Sequence, residues 1–281
     1  MTKSLEEVLA RAASVRETQR RREDQVKADV GAAESLPRQM PLFHEDLRAI
    51  SNDLARSPLF SPIRPGRRKA RDEALASPAG VEIHYKGEQL DQSDCDVFMQ
   101  LVHSARGKTI GMENPIQVNR AVLLGQIGRA DGGKNYEWLG SVLTRLQQAH
   151  LKVENKRYKL ETNLISKIVT DKEEGTFFIV LDADIIKMFS GTDHTLVDWE
   201  KRLLIEKRVD LAKWLHSFTC SHERGLQRWT VKSLREWSGY ASPVRKFREA
   251  LMEALQELER IGIIAGPGLY ERDTKVKWQR I

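Results

Sequence analysis

Cysteine is nearly absent: Cys95 and Cys220 are the two in 281 residues, far apart and without neighbouring ligand pairs. That excludes a disulfide framework and a zinc site, and both are read as core residues in a reducing cytosol. Long apolar runs are also missing. No stretch approaches the roughly 18 residues of a membrane span, and no signal-peptide segment opens the chain, so a cytoplasmic, non-secreted, membrane-free protein is expected. The seven histidines form no pair at metal-ligand spacing, and no Ser/His/Asp or paired-carboxylate arrangement can be argued from order. The chain therefore reads as a non-enzyme without cofactor or metal. What is abundant is charge. Forty-six Lys and Arg against 40 Asp and Glu leave +6 and a pI near 9.3. Such a balance suits an acidic polymer as partner, without implying specificity.

The length allows two compact domains and an extension. Residues 1–80 read as the extension. Leu5, Val8, Leu9, Ala12 and Val15 outline a modest amphipathic helix, and six of the nine prolines fall between Pro37 and Pro78, too many for a packed domain. Its basic run, residues 67–71, suits phosphates or simple solvation. Within it, Gln39-Met40-Pro41-Leu42-Phe43 sets a Gln and three apolar side chains in a polar tail, where such side chains await a partner's pocket.

From residue 81 the pattern becomes globular. Val81, Ile83 and Tyr85 alternate as a strand, and helices are expected over 94–106, 118–127 and 135–149. A hairpin with the basic tip Asn155-Lys156-Arg157 follows, then a second one turning at 171–175.

The most informative stretch runs from Ala241 to Ile264. Ser242 suits an N-cap and Pro243 the first helical position. Phe247, Leu251, Leu255 and Leu258 then supply one buried face. Arg245, Lys246 and Arg248 crowd the positive end of that helix, against its macrodipole at ~0.3–1 kcal/mol per charge. A helix that accepts this cost presents its basic end to an anion. Upstream, a shorter helix capped by Thr230 and a turn at 238–241 complete a helix-turn-helix, whose second helix enters the major groove by its N-terminal residues. An ordinary helical hairpin with solvated charges is the plainer alternative. The expected wing pairs residues 261–265 with 274–279 across Gly266-Pro267-Gly268. Lys275 and Lys277 alternate there with Val276 and Trp278, as a DNA-facing wing or a lysine-defended edge.

Leu139, Leu143, Leu146 and Leu151 recur as Leu251, Leu255, Leu258 and Ile263 at an offset of 112 residues. Each copy follows a shorter helix and precedes a basic hairpin. The economical fold is α+β, with tandem winged-helix domains at 82–190 and 207–281.

One motif competes. Gly128 to Lys134 is one residue short of a P-loop, and 177–182 resembles a Walker B strand. Asn135 lacks the magnesium-binding hydroxyl, and the residues before Gly128 look helical, so a Gly-rich turn is preferred over an NTPase.

With these features, and with residues 39–43 similar to the bacterial sliding-clamp-binding pentapeptide, the chain resembles the TrfA-type replication initiators of broad-host-range plasmids. That resemblance implies binding of iterons in double-stranded origin DNA, opening of an AT-rich region as single-stranded DNA, and recruitment of the host replicative helicase, host initiator and sliding clamp. It also implies a monomer active on DNA and an inactive homodimer. A transcriptional regulator with the same two domains is the alternative. Arg245 and Arg248 are expected to read guanine. Ser242, Lys232, Arg235, Lys246, Arg224, Arg228, Lys275 and Lys277 are expected to contact DNA around them, mostly at phosphates. In the first domain Lys134, Asn135, Arg145, Lys156, Arg157 and Lys159 are the DNA-binding candidates. Gln39, Met40, Leu42 and Phe43 are those for the clamp.

Overall fold

The computed structural model describes residue 17 and residues 39–63, 68–78, 80–189, 191–206 and 209–281. The helix expected over residues 5–15 lies outside the described residues, as does Arg67 of the basic run. Contacts group Gln39–Ile281 into one unit, separate from Met1–Arg38.

In chain order, β1 (Leu47–Ser51), α1 (Asn52–Ala55) and β2 (Phe60–Ser61) come first. They are followed by β3 (Ala70–Leu75), β4 (Val81–Glu88), β5 (Leu90–Asp91) and α2 (Gln92–Ala105). Next come β6 (Ile116–Asn119), α3 (Arg120–Gln126), α4 (Gly133–Gln148) and the hairpin β7 (His150–Asn155) and β8 (Lys159–Asn163). A second hairpin, β9 (Ile165–Asp171) and β10 (Thr176–Leu181), leads to α5 (Ala183–Lys187), β11 (His194–Asp198) and α6 (Trp199–Leu203). The last segment holds α7 (Asp210–Cys220), β12 (Gly225–Thr230), α8 (Val231–Ser238), α9 (Val244–Arg260), β13 (Ile264–Tyr270) and β14 (Lys275–Arg280). The architecture is mixed α/β.

The repeat appears as element order. A helix, strand, short helix, long helix and hairpin run from α2 to β8 and again from α7 to β14. Sheet pairing distinguishes the two copies. In the second, β12, β14 and β13 form one antiparallel sheet. In the first, the hairpin β7–β8 joins β3 and β4, while β6 leaves to pair with β10, whose other edge holds β9. Alternation sets the faces: Leu151, Val153 and Leu160 are buried, and Lys152, Glu154 and Lys159 point outward.

From residue 39 onward the described residues are folded, not part of the flexible extension expected over residues 1–80. β1 pairs antiparallel with β11, Leu47 opposite Asp198 and Ser51 opposite His194. β3 adds to β4 along six residue pairs. Proline count misled because Pro58, Pro62 and Pro78 sit in connections between short strands, where no ladder hydrogen bond is lost. Arg68 is likewise not a surface phosphate contact: it bonds the carboxylates of Asp91 and Asp94, the latter at 2.7 Å. Those two acids form the capping box of α2, and burial pushes the Asp91 carboxyl up to about 6.

The clamp-type pentapeptide is folded in. Met40 is 1% exposed and Phe43 9%, in the same core as α2, and the Phe43 ring lies 5.8 Å from that of His103. The Gln39 amide donates to the Gly107 carbonyl at 2.9 Å. Leu42 alone of the three apolar side chains faces solvent, at 81%. With its two flanking anchors in the core, the segment is not an extended peptide. Phe43→Ala is expected to destabilise the fold by about 3 kcal/mol, and Leu42→Ala by less than ~0.5 kcal/mol. Equal denaturant midpoints for the two variants would overturn this burial.

Two cores result. One gathers residues from Met40 to Trp199, the other from Ile205 to Trp278. A polar seam joins them. Arg202, fully buried, bonds Asp96 at 2.6 Å, Gln92 at 2.9 Å, and the Lys213 carbonyl at 2.9 Å. The Trp214 indole donates to the Ser57 carbonyl at 3.0 Å.

Candidate nucleic-acid interface

Helix α9 is placed by its apolar face. Phe247, Leu251, Ala254, Leu255 and Leu258 have no exposed surface, and the helix lies against α7. That orientation leaves Arg245, Lys246 and Glu249 outside. The helix begins at Val244, one residue later than expected, without a side-chain cap. Pro243 is extended, at φ −54° and ψ 152°, so Ser242 lies too far back to cap. Its carbonyl instead accepts from Arg235 Nε at 2.7 Å. The first-turn amides therefore lack a side-chain acceptor, and no acid lies in that turn. This is an electropositive end, suited to phosphate.

The shorter helix forms as its cap predicts: Thr230 Oγ1 accepts from the Ser233 amide at 3.0 Å. It ends at Gly239, in the left-handed region at φ 68°. A Cβ there would meet Pro58 Cβ and Ser61 Oγ at 2.8 Å, so the turn into α9 needs glycine for conformation and for space. Beside it is a groove of about 860 Å³ whose wall includes Lys69, Arg71, Ser242 and Lys246.

The β13–β14 hairpin, expected as a wing, differs from its expected register. Gly266-Pro267-Gly268 is not the turn but an irregularity inside β13, where pairing shifts between Ala265 and Gly268. Gly266, at φ 59°, permits the bulge. The turn is residues 271–274. Glu271, Arg272 and Asp273 all have positive φ, a costly conformation for side-chain-bearing residues. Four contacts hold it: Thr274 Oγ1 and the Thr274 amide donate to the Glu271 carbonyl at 2.7 and 3.2 Å, the Val231 amide donates to the Thr274 carbonyl at 2.9 Å, and Lys275 pairs with Glu271 at 2.6 Å. That carboxylate raises the Lys275 ammonium pKa, keeping it charged. Arg248 Nη1 lies 3.6 Å from the Asp273 carboxylate. The β13–β14 turn, the start of α8 and the head of α9 thus meet.

Around this meeting point Arg245 is exposed with a loose partner, Glu249 at 3.8 Å. Lys232 stands 4.0 Å from Glu236. Lys246 has no ion pair or hydrogen bond among the described residues. Arg272 is also exposed and unpaired there, and order alone missed it because the turn was placed five residues too early. Arg228 is directly opposite Lys277 in the β12–β14 ladder, two like charges on the outer sheet face. Such a pair destabilises a sheet unless an anion covers it. Arg224 is not brought to this end. It precedes β12, opposite the terminus of β14, roughly 20 Å along the strand at ~3.3 Å per residue. Arg235 Nε donates to the Ser242 carbonyl, so this side chain also positions the turn into α9.

The first half offers less. Lys134 is exposed in the first turn of α4, and Asn135 donates to the Ala130 carbonyl at 2.6 Å. Arg145 is not available to DNA: it is buried against Asp94 at 2.8 Å, because its face of α4 is the core face. At the hairpin tip Arg157 pairs with Asp193, and Lys159 with Glu154 at 2.6 Å, which raises the Lys159 pKa. Asp53 accepts from Asn155 at 2.8 Å and from the Tyr158 hydroxyl at 2.7 Å. Of its three cations only Lys156 has no acid partner among the described residues. The near-P-loop joins α3 to α4, so a helix and not a strand leads directly into it. Asp182 caps α5 by accepting from the Asp184 amide. No helix among the described residues is long and apolar enough to cross a membrane.

Among solved structures, the Pi initiator protein in complex with iteron DNA superposes with a TM-score of 0.56 at 14% identity, covering 85% of this chain and 98% of that one. Domains 2 and 3 of RctB give 0.48 at 11% identity, covering 78% and 94%. The plasmid replication initiator protein TrfA of Escherichia coli is 28% identical over 233 residues. Those residues are 78% of this chain but 59% of that protein, so the chain spans about three-fifths of its relative's length. The family described as TrfA protein matches residues 20–276. With that match across nearly all of the unit that carries the two cores, the chain belongs to the TrfA protein family.

Proposed function

We propose that this protein is a plasmid replication initiator that binds iterons in origin DNA through tandem winged helices. The observation that carries the reading is the uncapped, acid-free head of α9, bearing Arg245 and Lys246 and adjoined by the wing tip. Family membership supports it, as does a fold like that of Pi, an initiator solved with iteron DNA. Arg245 and Arg248 read base edges. Lys232, Lys246, Arg272, Lys275 and the Arg228–Lys277 pair hold phosphates, with Lys134 and Lys156 adding contacts from the first half.

Origin opening, engagement of its single strand and recruitment of the host helicase, host initiator and sliding clamp belong to the same proposal. So do an active monomer and an inactive homodimer. For the clamp, Met40 and Phe43 must first leave their core positions, so docking there is coupled to local opening. Soluble plasmid-associated function follows from the role.

The test is equilibrium binding to duplexes selected from a random pool by the protein, against unrelated duplexes, over a salt series. Tight binding to the selected sequence at salt that releases the unrelated DNA is expected. Equal affinity, falling steeply with salt for both, would leave only counterion release and refute a sequence reader.

A further inference from the structure

Two carboxylates sit at the tip of the wing, where a phosphate-facing surface has least use for them. Glu271 and Asp273 flank Arg272 in three consecutive left-handed residues. The strained turn is held by the Thr274 hydroxyl and by the Val231 amide. The backbone that carries its acids is therefore held in place. They are also unequal. Glu271 pairs with Lys275, a neighbour on its own hairpin. Asp273 reaches across to Arg248 on the reading helix, at 3.6 Å. Arg248 Nε is buried and has no hydrogen-bond partner, so this residue lacks a second anchor on that nitrogen.

We infer that Asp273 is a specificity-determining residue that restrains Arg248 until the correct base edge replaces it. The inference rests on the DNA-reading function proposed above. On unrelated DNA, Arg248 has two choices: to keep its carboxylate or to leave it for a phosphate. Leaving uncovers the Asp273 charge beside the backbone, which opposes non-specific binding. On the correct sequence, guanine O6 and N7 offer a bidentate acceptor that a single half-exposed carboxylate at 3.6 Å does not match. The penalty is then met only where the base contact is made. An exposed pair of this kind contributes little to folding, so its loss is expected to leave the fold intact. Asparagine is also among the residues that best tolerate positive φ, so Asp273→Asn keeps the turn.

The experiment compares Asp273→Asn with Glu271→Gln. Each removes one negative charge from the same tip, but only the first frees Arg248. Binding is measured on a duplex selected from a random pool by the wild-type protein, and on an unrelated duplex of equal length, over a salt series. Both variants are expected to steepen the slope of log K against log salt by about 0.9, the value of one added phosphate contact. Glu271→Gln is expected to strengthen both duplexes alike and keep the ratio between them. Asp273→Asn is expected to strengthen the unrelated duplex about 5- to 10-fold more than the selected one. An unchanged ratio in Asp273→Asn, or an equal fall in both variants, would overturn the role of Asp273 while leaving the wild-type preference intact. A wild-type protein without preference for its selected duplex would instead refute the DNA-reading function itself.

Discussion

Replacing Arg245 and Arg248 together with alanine is expected to abolish preference for the selected duplex while leaving the fold unchanged. A good bidentate arginine–guanine contact discriminates by ~1–3 kcal/mol, so the pair accounts for about 2–6 kcal/mol, or roughly 30-fold to 10⁴-fold. Both side chains lie outside the apolar face of α9, which Phe247 and Leu251 bury in the core, Arg245 exposed and Arg248 half-buried. Denaturant midpoints should therefore move by less than ~0.5 kcal/mol. Lys232→Ala with Lys246→Ala is the contrasting pair. It should weaken every duplex alike and flatten the salt slope by about two, one for each lost phosphate contact. If the lysine pair erased specificity and the arginine pair did not, the division between base and phosphate contacts would be reversed.

The second large effect lies away from DNA. Arg202→Met is expected to destabilise the protein by about 3–5 kcal/mol, because it strands Asp96 in the seam with one cation instead of two. Arg202 is 0% exposed, and Asp96 would keep only Lys213, which is bonded to its other oxygen. Gln92 Oε1 and the Lys213 carbonyl would lose their donor as well. Against a total of ~5–15 kcal/mol for a typical domain, this is a large fraction. Loss of a seam contact should also make the two cores unfold less cooperatively. Circular dichroism and tryptophan fluorescence, which coincide in the wild type if unfolding is two-state, are expected to separate in the variant. A cost under ~1 kcal/mol would show that the seam is held elsewhere.

Much of this architecture was legible from periodicity. The leucine spacing of α4 and α9 placed both buried faces, and the alternation around residues 155–157 placed the β7–β8 hairpin. Thr230 and Gly239 marked the ends of α8 through local rules of capping and handedness. The misses share a cause: they depend on partners distant in sequence. Arg145 looked like one more helix-surface cation, but its charge is answered by Asp94, 51 residues earlier. Arg68 looked like part of a solvated run until Asp91 and Asp94 came beside it. Met40 and Phe43 read as an exposed peptide because their pocket is made by α2, some sixty residues later. The β13–β14 turn was misplaced for a local reason. Gly-Pro-Gly is the strongest turn signal in that stretch, yet Gly266 serves a bulge, and the chain turns on three residues that rarely take positive φ.

In the proposed function, the head of α9 and the adjoining β13–β14 hairpin read a repeated DNA sequence. Hydroxyl-radical footprinting of the full protein on plasmid origin DNA decides this. Evenly spaced protections that recur along the same strand, and that survive salt sufficient to clear flanking DNA, are the predicted result. A single protected operator, or uniform protection lost everywhere at the same salt, would contradict it.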